Sequence, residues 1–235
     1  MVKSRTPRPS LRGVDTRLKT ARGRSPAAQR WLRRQLKDPY AYAAKQSGYR
    51  SRAAWKLLEI DDRYRFLRPH GRVVDLGAAP GGWTQVAVER CPGGTVIAAD
   101  LAPMEPVLGA EVVQLDILAE NAPEAISAAV GGPVDLVLSD LAAPSSGRRS
   151  SDHLRIIALA EAALAVAETV LAPGGTLLAK ILHGGEEQAF IATLRRAFAA
   201  VRHVKPAASR KDSAEIYVLA TGFRAKTGTE KGSPR

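Results

Sequence analysis

The chain has 235 residues, 45% of them hydrophobic, with 35 Lys and Arg against 23 Asp and Glu and a formal charge of +12. That length and composition suffice for one domain with a sizeable core plus an extension. A single cysteine, Cys91, excludes a disulfide framework and a cysteine-built zinc site, the four scattered histidines lack ligand spacing, and no apolar run approaches membrane-spanning length. No metal, no membrane, a monomeric state and a cytoplasmic location are the corresponding expectations.

Residues 1–24 are rich in Arg, Pro, Ser and Thr without apolar period and predict a disordered basic arm. Residues 25–70 predict a helical N-terminal extension. Ser25-Pro26 opens a short basic helix through Trp31, Leu32 and Leu36 to near Lys37. Asp38-Pro39 repeats the start signal and Gly48 closes that second segment; Ser51 caps a third helix that runs to about Phe66. From residue 71 to 223 short β-branched runs alternate with Ala-rich helical stretches. Strands are expected at Val73–Leu76, Thr95–Asp100, Val112–Leu115, Val134–Ser139, Thr176–Leu182, Val201–Lys205 and Glu215–Ala220. Helices are expected at Trp83–Arg90, Ala122–Val130, Asp152–Leu171 and Glu186–Ala199, with Pro173-Gly174-Gly175 as a turn. The pattern predicts an α/β, doubly wound, mostly parallel seven-stranded Rossmann-like sheet. A loop joins the last two strands, so one edge strand is expected to be antiparallel. Residues 224–235 form a basic tail.

The stretch Val74-Asp75-Leu76-Gly77-Ala78-Ala79-Pro80-Gly81-Gly82-Trp83 is a strand, a glycine turn and a helix start. Glycines there let a ligand approach the backbone at the carboxyl end of the first strand. The spacing G-x-x-x-G-G is neither the dinucleotide fingerprint nor a phosphate-binding P-loop. Asp75, Asp100, Asp116 and Asp140 fall at the ends of four successive strands and are expected to face one crevice. Each taken alone is as readily a strand-end or capping Asp. Together they suit a cationic ligand, and S-adenosylmethionine carries an adenosine, an ammonium and a sulfonium. Asp100 stands where an acid accepts hydrogen bonds from ribose hydroxyls.

Lys180 lies inside the apolar strand Thr176-Leu177-Leu178-Ala179-Lys180-Ile181-Leu182. Burial disfavours an amine's charged form, so a neutral Lys180 can take a proton from an alcohol; alternatively it is an edge lysine that reaches solvent.

With these residues in view, the sequence resembles the FtsJ-type ribosomal RNA 2′-O-ribose methyltransferases, the large-subunit methyltransferase E family. The resemblance spans Trp31 to Gly222. It rests on Tyr49-Arg50-Ser51-Arg52-Ala53-Ala54-Trp55-Lys56-Leu57, the glycine turn, Asp100-Leu101-Ala102-Pro103-Met104, Ser139-Asp140, Lys180, Ser209-Arg210 and Glu215-Ile216-Tyr217. It implies a catalytic tetrad of Lys56, Asp140, Lys180 and Glu215. It also implies S-adenosylmethionine bound by Gly81, Trp83, Asp100, Asp116 and Asp140, with Asp116 on the adenine edge. Spacing alone would leave Lys56 a solvated helix lysine and Trp83 a core residue. The sequence departs from the familiar pattern at Leu141-Ala142-Ala143-Pro144 and at His183-Gly184-Gly185.

Charge adds a partner class. Residues 1–37 carry +11, residues 38–223 carry −2 and residues 224–235 carry +3. An arm so basic suggests a polyanion, most simply nucleic acid. Arg33, Arg34, Arg50 and Arg52 are the expected RNA contacts, with Trp31, Tyr40, Tyr42 and Tyr49 available to stack on bases or to pack the helices. The implied target is one uridine ribose of the large-subunit (23S) rRNA on an assembled or late-assembling 50S particle. Alternatives are a 2′-O-methyltransferase for tRNA or another RNA, and a non-catalytic RNA-binding assembly factor. The glycine spacing disfavours an NAD-dependent oxidoreductase.

Overall fold

A computed structural model describes residues 36–225 apart from 145, 185, 186 and 211, together with residues 9, 10, 25 and 29. The expected basic helix before Lys37 falls almost wholly outside these, as do Trp31, Arg33 and Arg34. Nearly all of the basic arm over 1–24 and of the basic tail also lies outside the described residues.

Two helices precede the sheet: α1 (Pro39–Gln46) and α2 (Ala53–Tyr64). Asp38 caps α1, its carboxylate accepting the amides of Tyr40 at 3.0 Å and Ala41 at 3.3 Å, with Pro39 in the first turn. Ser51 does not cap α2 with its side chain. Arg52 holds the cap position, and Ser51 contributes its carbonyl to the Ala54 amide.

The rest alternates: β1 (Arg72–Leu76), α3 (Gly82–Arg90), β2 (Thr95–Asp100), β3 (Glu111–Gln114), α4 (Ala122–Val130), β4 (Val134–Ser139), α5 (Arg149–Val170), β5 (Leu171–Leu182), α6 (Glu187–Ala197), β6 (Phe198–Val204) and β7 (Glu215–Phe223). They build one seven-stranded sheet in the order β3-β2-β1-β4-β5-β7-β6. β1 to β5 pair in parallel, whereas β7 runs antiparallel to both β5 and β6. The antiparallel pairing therefore lies at the expected edge, carried by β7 one strand in from β6. This is a Rossmann-like methyltransferase fold.

Local departures have physical causes. Pro173-Gly174-Gly175 does not end one element and start another. It sits as a bulge within β5, where the register against β4 shifts between Val134 and Leu136. α5 starts at Arg149, before Asp152, because Asp152 folds back to accept the amide and hydroxyl of Ser146 at 2.7 and 2.6 Å. α6 closes at Ala197, and Phe198 already pairs with Phe223 across β6 and β7.

The core lies on both faces. α4, α5 and α6 bury Ile126, Leu164, Phe190 and Leu194 against one; α2 and α3 bury Leu57, Ile60, Trp83 and Val86 against the other. Strand order reverses between β1 and β4, and such a switch point opens a crevice beyond the carboxyl ends of the strands.

Candidate active site

The crevice is a cavity of about 790 Å³ whose walls include Gly77, Ala79, Asp100, Asp116, Asp140 and Arg155. Gly77 makes the turn possible. Its φ is +74°, and a Cβ there would stand 2.9 Å from the Leu141 Cα, so β1's turn and the loop after β4 touch backbone to backbone. Asp100 is fastened from two sides, its Oδ2 accepting the Ala79 amide at 2.9 Å and its Oδ1 the Ala102 amide at 2.8 Å. Asp116 is exposed two residues beyond β3 and accepts the Leu118 amide at 2.9 Å.

The fourth strand-end acid does not join them. Asp75 is fully buried behind the turn, where the Thr84 hydroxyl donates to its Oδ2 at 2.7 Å and its Oδ1 has no hydrogen-bond partner. Burial pushes this carboxyl up to about 7, with the charges of Asp140 and Asp100 adding and the Thr84 hydrogen bond opposing.

Beside Asp140 four elements bring the tetrad together. Lys180 Nζ lies 3.1 Å from Asp140 Oδ1 and donates to the Asp140 carbonyl at 2.8 Å. Lys56, from α2, donates to Glu215 Oε2 at 2.8 Å and stands 4.0 Å from Asp140 Oδ2. Both lysines are less than 10% exposed, and each amine has partners, as a buried polar group requires. Glu215 Oε1 accepts the Ser209 hydroxyl at 2.8 Å.

A fifth side chain links the two halves. Tyr217 Oη accepts from Lys56 at 3.1 Å and donates to Asp140 Oδ1 at 2.7 Å. Strand register supplies the signal that could have found it. Residues two apart on β7 share a face, so Tyr217 accompanies Glu215, and it pairs directly with Lys180 on β5.

The remaining expected residues lie elsewhere. Gly81 and Trp83 are not among the residues lining the cavity. Trp83 is buried, donates its indole N–H to the Ala53 carbonyl at 2.8 Å and packs against the Tyr217 ring at 5.6 Å between centroids. Arg50 donates to three backbone carbonyls, those of Pro80, Glu105 and Pro106. Arg52 pairs with Asp38 at 2.8 Å and donates to the Ala208 carbonyl at 2.6 Å. Both guanidiniums are thus engaged by protein groups, Arg50 on the surface and Arg52 half-buried. Of the two departures from the familiar pattern, Ala143 and Pro144 line the cavity, and exposed His183 leans on buried Glu187 at 3.0 Å. Among the described residues no cluster of three or more His, Cys, Asp or Glu could hold a metal, and no helix is long and apolar enough to cross a membrane.

A doubly wound sheet with acids around the switch-point cavity and a paired strand lysine beside it defines a methyltransferase-type site. Residues 49–223 match the family model described as FtsJ-like methyltransferase, and the chain belongs to that family of S-adenosylmethionine-dependent enzymes. It is 54% identical over 227 residues to a ribosomal RNA large subunit methyltransferase E of Parvibaculum lavamentivorans, covering 92% of this chain and 89% of that one. A protein of the same name from Rhizorhabdus wittichii is 51% identical over 214 residues, covering 91% and 93%. Among solved structures, a ribosomal RNA methyltransferase from Plasmodium falciparum is 30% identical with a TM-score of 0.68, covering 76% of this chain and all of that one.

The cavity fits S-adenosylmethionine. Its volume lies within the range of small-molecule sites, its wall carries three carboxylates against one guanidinium, and Gly77 keeps the backbone bare of a side chain.

Proposed function

We propose that this protein methylates the 2′-hydroxyl of a uridine ribose in large-subunit (23S) rRNA, on the assembled or late-assembling subunit. The observation that carries the reading is the position of Lys180: its buried amine is held by two oxygens of Asp140, a residue of the cavity wall. The names of close relatives support large-subunit ribosomal RNA as the substrate class.

S-adenosylmethionine, when bound, supplies a methyl group made electrophilic by its sulfonium. Asp100 would take its ribose hydroxyls, Asp116 its adenine amino edge, and Asp140 would close the site beside the tetrad. The Asp140 carbonyl takes one hydrogen bond from the Lys180 amine and the Asp140 carboxylate lies within ion-pair distance, which leaves the amine a direction for the acceptor hydroxyl. A neutral Lys180 would receive that hydroxyl and accept or steer its proton as the methyl group passes from sulfur to oxygen, the C–S bond breaking as the C–O bond forms. Lys56 and Tyr217 hold Asp140 in place, and Glu215 with Ser209 holds Lys56. Gly81 and Trp83 would serve from behind the wall. Much of the acceleration comes from fixing two reactants in line. Basic residues ahead of the folded body, Arg33 and Arg34 of the helical extension among them, would bind the RNA backbone.

Lys180→Ala should leave cofactor affinity unchanged and lower single-turnover methylation by roughly 10²–10⁴-fold. Full single-turnover activity in that variant would remove the assigned role. Substrate is tested by mapping ribose methylation in cells with and without the gene. One 2′-O-methyl missing from a large-subunit uridine is expected. Loss from tRNA instead, or no loss at all with ribosome assembly impaired, would favour the alternatives.

A further inference from the structure

The segment that leads into α2 is strapped to the outside of the cofactor cavity. Gln85 of α3 accepts the Arg50 amide at 2.8 Å and donates to the Gly48 carbonyl at 3.0 Å, while the Tyr49 hydroxyl donates to Glu89 at 2.7 Å. With its backbone held on α3, Arg50 extends its guanidinium between two loops. Nη1 reaches the carbonyl of Pro80, in the glycine turn, at 3.2 Å. Nη1 and Nη2 reach the carbonyls of Glu105 and Pro106, in the loop after β2, at 2.5 and 2.6 Å. Gly81 admits this contact: its φ is +108°, and a Cβ there would stand 3.0 Å from Arg50 Nη1 and 3.1 Å from Val107 Cγ2.

The same two loops are joined from the inside by Asp100, which accepts one amide from each, Ala79 next to Pro80 and Ala102 three residues before Glu105. Asp100 is the acid that faces the cavity at the end of β2. A planar fork with donors in fixed directions suits this bridging, and a lysine's single nitrogen does not.

We propose that Arg50 is a positioning residue of the cofactor site: by clamping the glycine turn to the loop after β2 it fixes the direction of the Asp100 carboxylate. It touches neither reacting group, and its exposed guanidinium is engaged by three backbone carbonyls rather than by RNA phosphates. This rests on the reading that S-adenosylmethionine occupies the cavity with Asp100 on its ribose. A preorganised site binds more tightly because loop ordering is already complete before the ligand arrives.

The test uses the full chain and radiolabelled S-adenosylmethionine in equilibrium dialysis, with Arg50→Ala, Arg50→Lys and, as control, Asp100→Ala. Arg50→Ala should weaken cofactor binding on the order of tenfold. It should raise the KM for cofactor while kcat stays near wild type, and leave the salt dependence of RNA binding unchanged. Arg50→Lys keeps the charge and should remain weakened; wild-type affinity in that variant would overturn the clamp. A salt slope reduced by about one with cofactor affinity intact would make Arg50 a phosphate contact and also overturn it. Should Arg50→Ala not fold, hydrogen exchange in Arg50→Lys decides: faster exchange at the Ala79 and Ala102 amides is expected, and unchanged protection refutes the proposal. If Asp100→Ala binds cofactor normally, the cavity reading itself fails. If Asp100→Ala loses binding while both Arg50 variants keep it, only the positioning role fails.

Discussion

Tyr217 Oη sits between Lys56 Nζ at 3.1 Å and Asp140 Oδ1 at 2.7 Å, so one buried hydroxyl bridges the lysine and the carboxylate of the cluster. Burial first, then the charges of Asp140 and Glu215, pushes its phenol far above the ordinary value, and it therefore stays a donor at every working pH. Tyr217→Phe keeps the ring against Trp83 and removes only this link. It should destabilise the fold by about 1–2 kcal/mol and slow single-turnover methylation about tenfold with cofactor affinity kept. A rate equal to wild type would mean that the ion pairs hold themselves. Asp75 makes a different case, because its carboxyl is held up to about 7 by burial. The folded state then binds this proton more tightly than the unfolded state does. The contribution to stability is complete below the ordinary carboxylate range and is lost as pH rises through about 7. Asp75→Asn removes that dependence. Between about pH 5 and pH 7.5 the urea midpoint of the wild-type protein should therefore fall relative to that of Asp75→Asn. Parallel profiles for the two proteins would contradict the assignment.

At the scale of elements, the site depends on where loops meet. The turn after β1 and the loop after β4 meet at Gly77, whose absent Cβ would fall 2.9 Å from backbone and side-chain atoms of Leu141. Because the obstruction includes backbone and φ is +74°, Gly77→Ala should cost about 1–3 kcal/mol in urea unfolding and weaken cofactor binding. Unchanged stability would show that the loop after β4 yields freely. Much of this frame was legible in the sequence. The strands β1, β2 and β4 are buried on both faces and so appear as continuous apolar runs, and the acids at their ends mark the crevice. Less was legible where structure depends on partners distant in the chain. The insertion of β7 between β5 and β6 leaves no local trace, so the Tyr217–Lys180 pairing had to come from register. Nor does composition distinguish an arginine that meets phosphate from one that meets carbonyls 30 to 56 residues away, as Arg50 does. Asp75 shares the strand-end position of the other acids, yet the pleat places it behind the turn against Thr84.

For the whole molecule, charge is divided as the work is divided. Residues 1–37 carry +11, whereas residues 38–223, which hold every element of the sheet and the tetrad, carry −2. A near-neutral body with carboxylates around its cavity suits a cationic cofactor, and a strongly basic arm suits a polyanion. Asp38 caps α1 from within the body and also binds Arg52, so the helices that carry Lys56 and the Arg50 strap keep their anchors without the arm. Deletion of residues 1–37 should therefore leave S-adenosylmethionine affinity within about twofold of the full chain. RNA affinity should fall most at low salt, because each phosphate that the arm no longer neutralises lowers the slope of log affinity against log salt by roughly 0.7–0.9. Measured from about 50 to 200 mM salt, the lines for full and shortened chains should converge as counterions replace what the arm supplied. Parallel lines would place the RNA contacts on the folded body and leave the arm without a part in binding. A loss of cofactor affinity would show instead that the arm supports the cavity, contrary to the separate anchoring of α1 and α2.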